Sequence, residues 1–160
     1  MFSRVLVASL IGLLVSETSL SADSSRRYIT VQTTTANQPA PPLSAGVVAG
    51  GTFYVSGQLG TDPATHQIGA DPETEARLAM EAVQHTLQQG GLTTDDLVSV
   101  TVYCTDLTLF DRFNAVYRTF FHDNYPTRAF IGVKDLLRGA HFEISGIAVA
   151  PRAGKPPAKH

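Results

Sequence analysis

One cysteine in 160 residues excludes an internal disulfide and any metal site built on several thiolates. Histidine offers no substitute. His66, His85, His122, His141 and His160 show neither His-x-x-x-His nor Glu-x-x-His spacing, so no metal is expected. Charge of either sign is scarce. Charged residues make up 16% of the chain, with 12 Lys and Arg against 14 Asp and Glu, for a net charge of -2. That balance, with no basic cluster beyond the thin Lys155 to Lys159 tail, argues against a nucleic-acid partner. A membrane-spanning run is lacking too, since the apolar stretch Val5 to Val15 is too short for a comfortable bilayer crossing.

That same stretch has the make-up of an export signal. Arg4 is a short basic start, Val5 to Val15 has the length of a signal core, and Ser16 to Ala22 is small and polar. Residues 1–22 are therefore expected to be a signal peptide, cut after Ser21 or Ala22. The mature protein would then be periplasmic or secreted, with no stable membrane insertion once the leader is gone. Residues 23–151 are expected to form a single domain, and residues 152–160 a disordered Pro/Lys tail.

Within the domain, Tyr28 to Thr33 reads as a short strand. Val47-Val48, Gly50-Gly51 and Thr52 to Gly57 read as a hairpin with a Gly-Gly turn. A helix is predicted from Pro72 to Gln89. Pro72 suits its first turn, Glu73 and Glu75 its positive end, and Ala76, Ala79, Met80, Val83 and Leu87 form a stripe at helical spacing. Val98 to Cys104 alternates as a strand, with Val98, Val100, Val102 and Cys104 on one face and Cys104 as a buried, inert thiol. A second helix is predicted from Leu109 to His122, capped by Asp106 or Thr108. Arg128 to Val133 and Phe142 to Val149 close the domain as strands. The order β-β-β-α-β-α-β-β predicts an α+β fold with both helices on one face of a single sheet.

Strand alternation in Pro126-Thr127-Arg128-Ala129-Phe130-Ile131-Gly132-Val133 puts Arg128 on a face with Phe130, and Ala129, Ile131 and Val133 toward a helix-covered core. The opposite, open sheet face is expected to carry Tyr54, Ser56, Thr101, Tyr103, Arg128, Phe130, Glu143, Ser145 and Ile147. That mixture suits contact with another subunit, leaving polar pockets between the two. Arg128 presents a planar fork that matches a carboxylate, and Glu143 follows fifteen positions later. The pair reads either as a binding site with a general base or as a cross-strand ion pair. Ser56 lacks an interpretable His or Asp partner for a triad. Asn114 reads equally as a cleft residue or as a structural amide.

Several blocks resemble the RidA/YjgF family: Phe53-Tyr54-Val55-Ser56-Gly57-Gln58-Leu59-Gly60, Val102-Tyr103-Cys104-Thr105-Asp106-Leu107, Phe113-Asn114-Ala115-Val116-Tyr117 with Phe120-Phe121, Pro126-Thr127-Arg128, and Phe142-Glu143-Ile144 with Gly146-Ile147-Ala148. The resemblance runs from about Tyr28 to Pro151. It implies a chorismate-mutase-like α+β fold and a homotrimer with clefts between subunits. It further implies cofactor-independent hydrolysis of reactive 2-imino or enamine acids to 2-keto acids and ammonia, so the partner is a small imino or keto acid. In that reading Arg128 grips the substrate carboxylate and Glu143 positions or activates the attacking water, while Ser56, Gly57, Asn114 and Phe130 line the cleft. Leu43, in Pro41-Pro42-Leu43-Ser44-Ala45, stands where enzymes of the family place a tyrosine. The alternative on the same fold is a non-catalytic trimer that binds small carboxylates or acts as a scaffold.

Overall fold

The computed structural model describes residues 26–31, 40–122 and 124–150. The expected leader and the C-terminal tail lie outside them. Strands β1 (Arg27–Thr30), β2 (Ser44–Ala49), β3 (Thr52–Leu59), β4 (Leu97–Cys104), β5 (Thr127–Gly132) and β6 (Phe142–Val149) form one sheet in the order β1-β2-β3-β6-β4-β5. Only β4 and β5 run parallel, so the sheet is mixed. Helices α1 (Pro72–Gln89) and α2 (Phe110–Tyr117) lie on the same face of it. The α+β layout expected from the sequence is the one observed.

Local chemistry sets the elements. Gly50 and Gly51 take positive φ angles of 56° and 79°, the mirror-image turn that matches the twist of a two-residue hairpin. Asp71 caps α1 by accepting a hydrogen bond from the Thr74 amide at 3.0 Å. Pro72 follows at the first helical position, where its missing N–H costs nothing. The predicted stripe of Ala76, Ala79, Met80, Val83 and Leu87 is buried as a unit. It meets Phe53, Val55, Val100, Val102, Phe142 and Ile144 from the sheet, and Phe113 and Val116 from α2. Cys104 is buried in this core, and desolvation pushes its thiol above the ordinary cysteine range. The second helix is shorter than its apolar spacing suggests, and a 3-10 turn at Arg118–Phe120 replaces its last turns.

Two face assignments differ from the alternation read in the sequence. In β4 the ladder with β6 slips between Leu97 and Ser99. Leu97 therefore takes the buried place and Val98 is 46% exposed. In β5 the faces are exchanged. Phe130 turns toward the helices, with its ring 5.0 Å from Phe110 and 5.4 Å from Phe113, while Ala129 and Ile131 are exposed. The segment is apolar on both faces, so periodicity could not choose between them. The volume between α2 and the edge strand decides, because a phenyl ring fills it and an alanine does not. The uncovered face carries Tyr54, Ser56, Thr101, Tyr103, Glu143, Ser145 and Ile147 as expected, but Ala129 and Ile131 replace Arg128 and Phe130.

Candidate functional site

Arg128 sits at the sheet edge beneath α2. Its Nη2 donates to Asn114 Oδ1 at 2.7 Å. Its guanidinium carbon lies 4.5 Å from the Tyr117 ring centre and 5.8 to 5.9 Å from those of Phe110, Phe113 and Phe130. Aromatic rings surround the cation, and the guanidinium N–H groups that Asn114 does not take can meet an anion. Among the described residues no carboxylate pairs with it, so the cross-strand Arg–Glu ion pair is not formed. The guanidinium opens on a cavity of about 400 Å³ lined by Phe110, Asn114, Tyr117, Arg118, Tyr125 and Arg128. Burial pushes the Tyr117 phenol up to about 12 against the opposing pull of Arg128. Its buried hydroxyl has no hydrogen-bond partner among the described residues.

Helical spacing builds one wall of this cavity. Phe110, Asn114, Tyr117 and Arg118 fall at i, i+4, i+7 and i+8, a single stripe on α2 and the turn that follows it. Asn114 is thus a brace for Arg128, which joins its two sequence readings. Tyr117, Arg118 and Tyr125 were not foreseen as site residues, although the stripe was there to be counted.

Ser56, Gly57 and Glu143 form a second cluster. The β3–β6 ladder is irregular between Val55 and Gln58, and Ser56 and Gly57 occupy the irregularity. Glu143 lies against Gly57 so closely that a Cβ added at Gly57 would fall 1.9 Å from the Glu143 carboxylate. Gly57 is therefore required to let the acid approach the backbone. Ser56 and Gly57 also line a cavity of about 490 Å³ with Leu43, His85 and Arg138. No histidine hydrogen-bonds to Ser56 among the described residues, so nothing there resembles a triad.

The two clusters do not meet within one chain. Across β4, Arg128 pairs with Val100 and Glu143 pairs with Tyr103. An odd separation along a strand places side chains on opposite faces. Consistently, Phe142 beside Glu143 packs its ring 5.0 Å from Phe113 in the helix layer. The expectation that Arg128 and Glu143 share a face is thus corrected. Phe130 stays with Arg128 as expected, but as a wall packed beneath α2 and not as part of the open face.

Glu75, read from the sequence as favouring the positive end of α1, is fully buried. Its Oε1 accepts from the His141 amide at 2.6 Å and the Phe142 amide at 2.8 Å, and its Oε2 lies 2.7 Å from His141 Nδ1. His141 is half-exposed and tied to this carboxylate. The neighbouring Glu73 pairs instead with Arg112.

Residues 33–150 match the family model described as "Endoribonuclease L-PSP". The chain is 38% identical over 119 residues to the Bos taurus 2-iminobutanoate/2-iminopropanoate deaminase, covering 72% of this chain and 86% of that one. Among solved structures, E. coli TdcF with bound serine superposes with a TM-score of 0.70 at 35% identity, covering 78% of this chain and 100% of that one. RidA from the Antarctic bacterium Psychrobacter sp. PAMC 21119 superposes with a TM-score of 0.68 at 32% identity, covering 76% and 98% respectively.

Proposed function

The chain belongs to the RidA/YjgF family, and from that membership we propose that it hydrolyses reactive 2-imino and enamine acids to 2-keto acids and ammonia without a cofactor. The observation that carries the reading is Arg128. It is a guanidinium braced by Asn114 and four rings, facing a cavity, with no acid paired to it among the described residues. A small carboxylate would complete that fork with two charge-assisted hydrogen bonds. The bovine relative's name and the serine in TdcF support a ligand of this size and type. An RNA substrate is disfavoured by the net charge of -2 and the lack of a basic stripe.

The chemistry asks little of the protein. Water adds to an already electrophilic imine carbon, the carbon–nitrogen bond breaks, and nitrogen leaves as ammonia carrying both water protons. Holding the carboxylate supplies the proximity term. A carboxylate that takes the water proton adds about two to four powers of ten, and Glu143 is assigned that role. Ser56 and Gly57 shape the backbone beside it, and Asn114 and Phe130 hold Arg128 in place.

Because Glu143 points away from Arg128 within its own chain, the acid serving a given Arg128 is assigned to a neighbouring copy in a homotrimer. The exposed Tyr54, Val98 and Ile131 provide apolar surface for that contact. The test is subunit mixing. Arg128→Ala and Glu143→Gln proteins, each inactive alone, are co-refolded in equal amounts and assayed for ammonia release. Roughly a quarter of the interfaces should regain both groups, since each draws its two sides independently. Failure of any mixture to recover activity would reject the shared site.

The second reading, a carboxylate binder without turnover, is favoured by Leu43, which lines the cavity beside Ser56 and Gly57 and brings no hydroxyl. It requires ligand-induced thermal stabilisation and no ammonia release above the spontaneous rate. Export belongs to the proposal as well. N-terminal sequencing of protein from the periplasm or medium should begin at Ala22 or Asp23, and a retained Met1 on intracellular protein would refute it.

A further inference from the structure

We propose that the Arg128 cavity selects ligands carrying two acid groups, 2-imino acids with a second carboxylate on the side chain, and that Arg118 is the residue that reads the second one. The inference rests on the reading that Arg128 grips the first carboxylate.

Arg118 follows Asn114 by one helical turn, so both side chains belong to the stripe that faces the cavity. Asn114 holds Arg128 from this stripe at 2.7 Å, and Arg118 lines the same space of about 400 Å³. Within one chain the lining contains two guanidinium groups and no carboxylate; the Glu143 assigned from a neighbouring copy is reserved for the attacking water. Among the described residues neither arginine forms an ion pair. A bound monocarboxylate neutralises one of these cations and leaves the other without a partner across the cavity. A dicarboxylate neutralises both. The remaining walls are the rings of Phe110, Tyr117 and Tyr125, which suit the short carbon chain that joins two acid groups.

The two cations are anchored differently. Arg128 is stacked and braced, as befits a group that fixes one end of every ligand. Arg118 is exposed, with no side-chain hydrogen bond among the described residues, so it can reach toward diacids of different length. The reaction is unchanged. Water oxygen bonds to the imine carbon, nitrogen departs as ammonia, and the second carboxylate takes no part in bond making.

The test compares imines formed in situ by oxidising glutamate (two carboxylates) and alanine (one). The readout is the ratio of kcat/KM for ammonia release, diacid over monoacid. In Arg118→Gln this ratio should fall about tenfold or more, the worth of one charge-assisted hydrogen bond. Arg77→Gln removes an exposed charge from α1 outside the cavity lining and should keep the wild-type ratio. Calorimetric binding of the stable keto acids 2-oxoglutarate and pyruvate gives a second readout that needs no turnover. Wild type should prefer 2-oxoglutarate, and Arg118→Gln should lose that preference.

An unchanged ratio in Arg118→Gln overturns the proposal, as it would if Arg118 merely doubled the grip on the first carboxylate. An equal fall in Arg77→Gln also overturns it, because general charge would then be the cause. If wild type releases no ammonia from either imine yet binds 2-oxoglutarate in an Arg118-dependent way, the selectivity stands and the hydrolase reading falls.

Discussion

Arg128→Ala is expected to lower kcat/KM for ammonia release by about two to four powers of ten. The two charge-assisted hydrogen bonds proposed between Arg128 and the ligand are lost, each worth about 1.5–3 kcal/mol, and one power of ten corresponds to about 1.4 kcal/mol. The fold should survive. Arg128 is half-buried, and its structural contacts are one hydrogen bond to Asn114 and the faces of four rings. Losing them costs about 1–2 kcal/mol, a shift in Tm of several degrees. Arg128→Lys separates charge from shape. It keeps the cation but not the planar fork, so it should fall between wild type and Arg128→Ala. A Lys variant equal to wild type would mean that charge alone binds the ligand. An Ala variant within threefold of wild type would remove Arg128 from the site altogether.

Elements that carry their own instructions were legible in the sequence. The helix from Pro72 to Gln89 announces itself through cap, proline and stripe, and it forms over those residues. The Gly50-Gly51 hairpin does the same. The identities of Arg128, Asn114, Ser56, Gly57 and Glu143 came from blocks that resemble a family. Their relative placement did not, because it depends on pairing that no single strand encodes. Arg128 and Glu143 are both read against β4, and a separation of three along that strand decides that they face apart. Alternation within β5 could not reveal this, since Ala129, Phe130 and Ile131 are apolar on both sides. The slip at Leu97 to Ser99 similarly put Leu97 in the core in place of Val98, while Val100 and Val102 kept the buried face. Glu75 was hidden by its company, as an acid beside Asp71 and Glu73 at a helix start has an adequate local explanation. Only the return of the chain at His141 and Phe142 gives it a buried role.

That buried role makes Glu75→Ala the substitution with the largest expected effect on stability, a loss of about 3 kcal/mol or more in urea unfolding. Removing the carboxylate leaves the His141 and Phe142 amides without their acceptor, and each unpaired buried donor costs about 1–3 kcal/mol. A Cβ on Gly60 would come within 2.1 Å of the Glu75 carbonyl oxygen, and one on Gly69 within 2.5 Å of its amide nitrogen, so the loop lies directly on the helix start. Against a total of about 5–15 kcal/mol for a domain, such a loss is a large share. Glu75→Gln sharpens the test. Both amides bond to Oε1, which glutamine retains, and its new NH₂ can donate to a neutral His141 Nδ1 in place of Oε2. The Gln variant should therefore cost only about 1 kcal/mol, the net worth of an ordinary hydrogen bond. Equal losses in Ala and Gln would assign the effect to the buried charge and not to the two amides. The consequence reaches the site as well, because Glu143 stands two residues beyond His141 on β6. A strand start that frays carries with it the carboxylate proposed as the base, so Glu75→Ala should lower ammonia release more than its folded fraction accounts for, while Glu75→Gln should track that fraction.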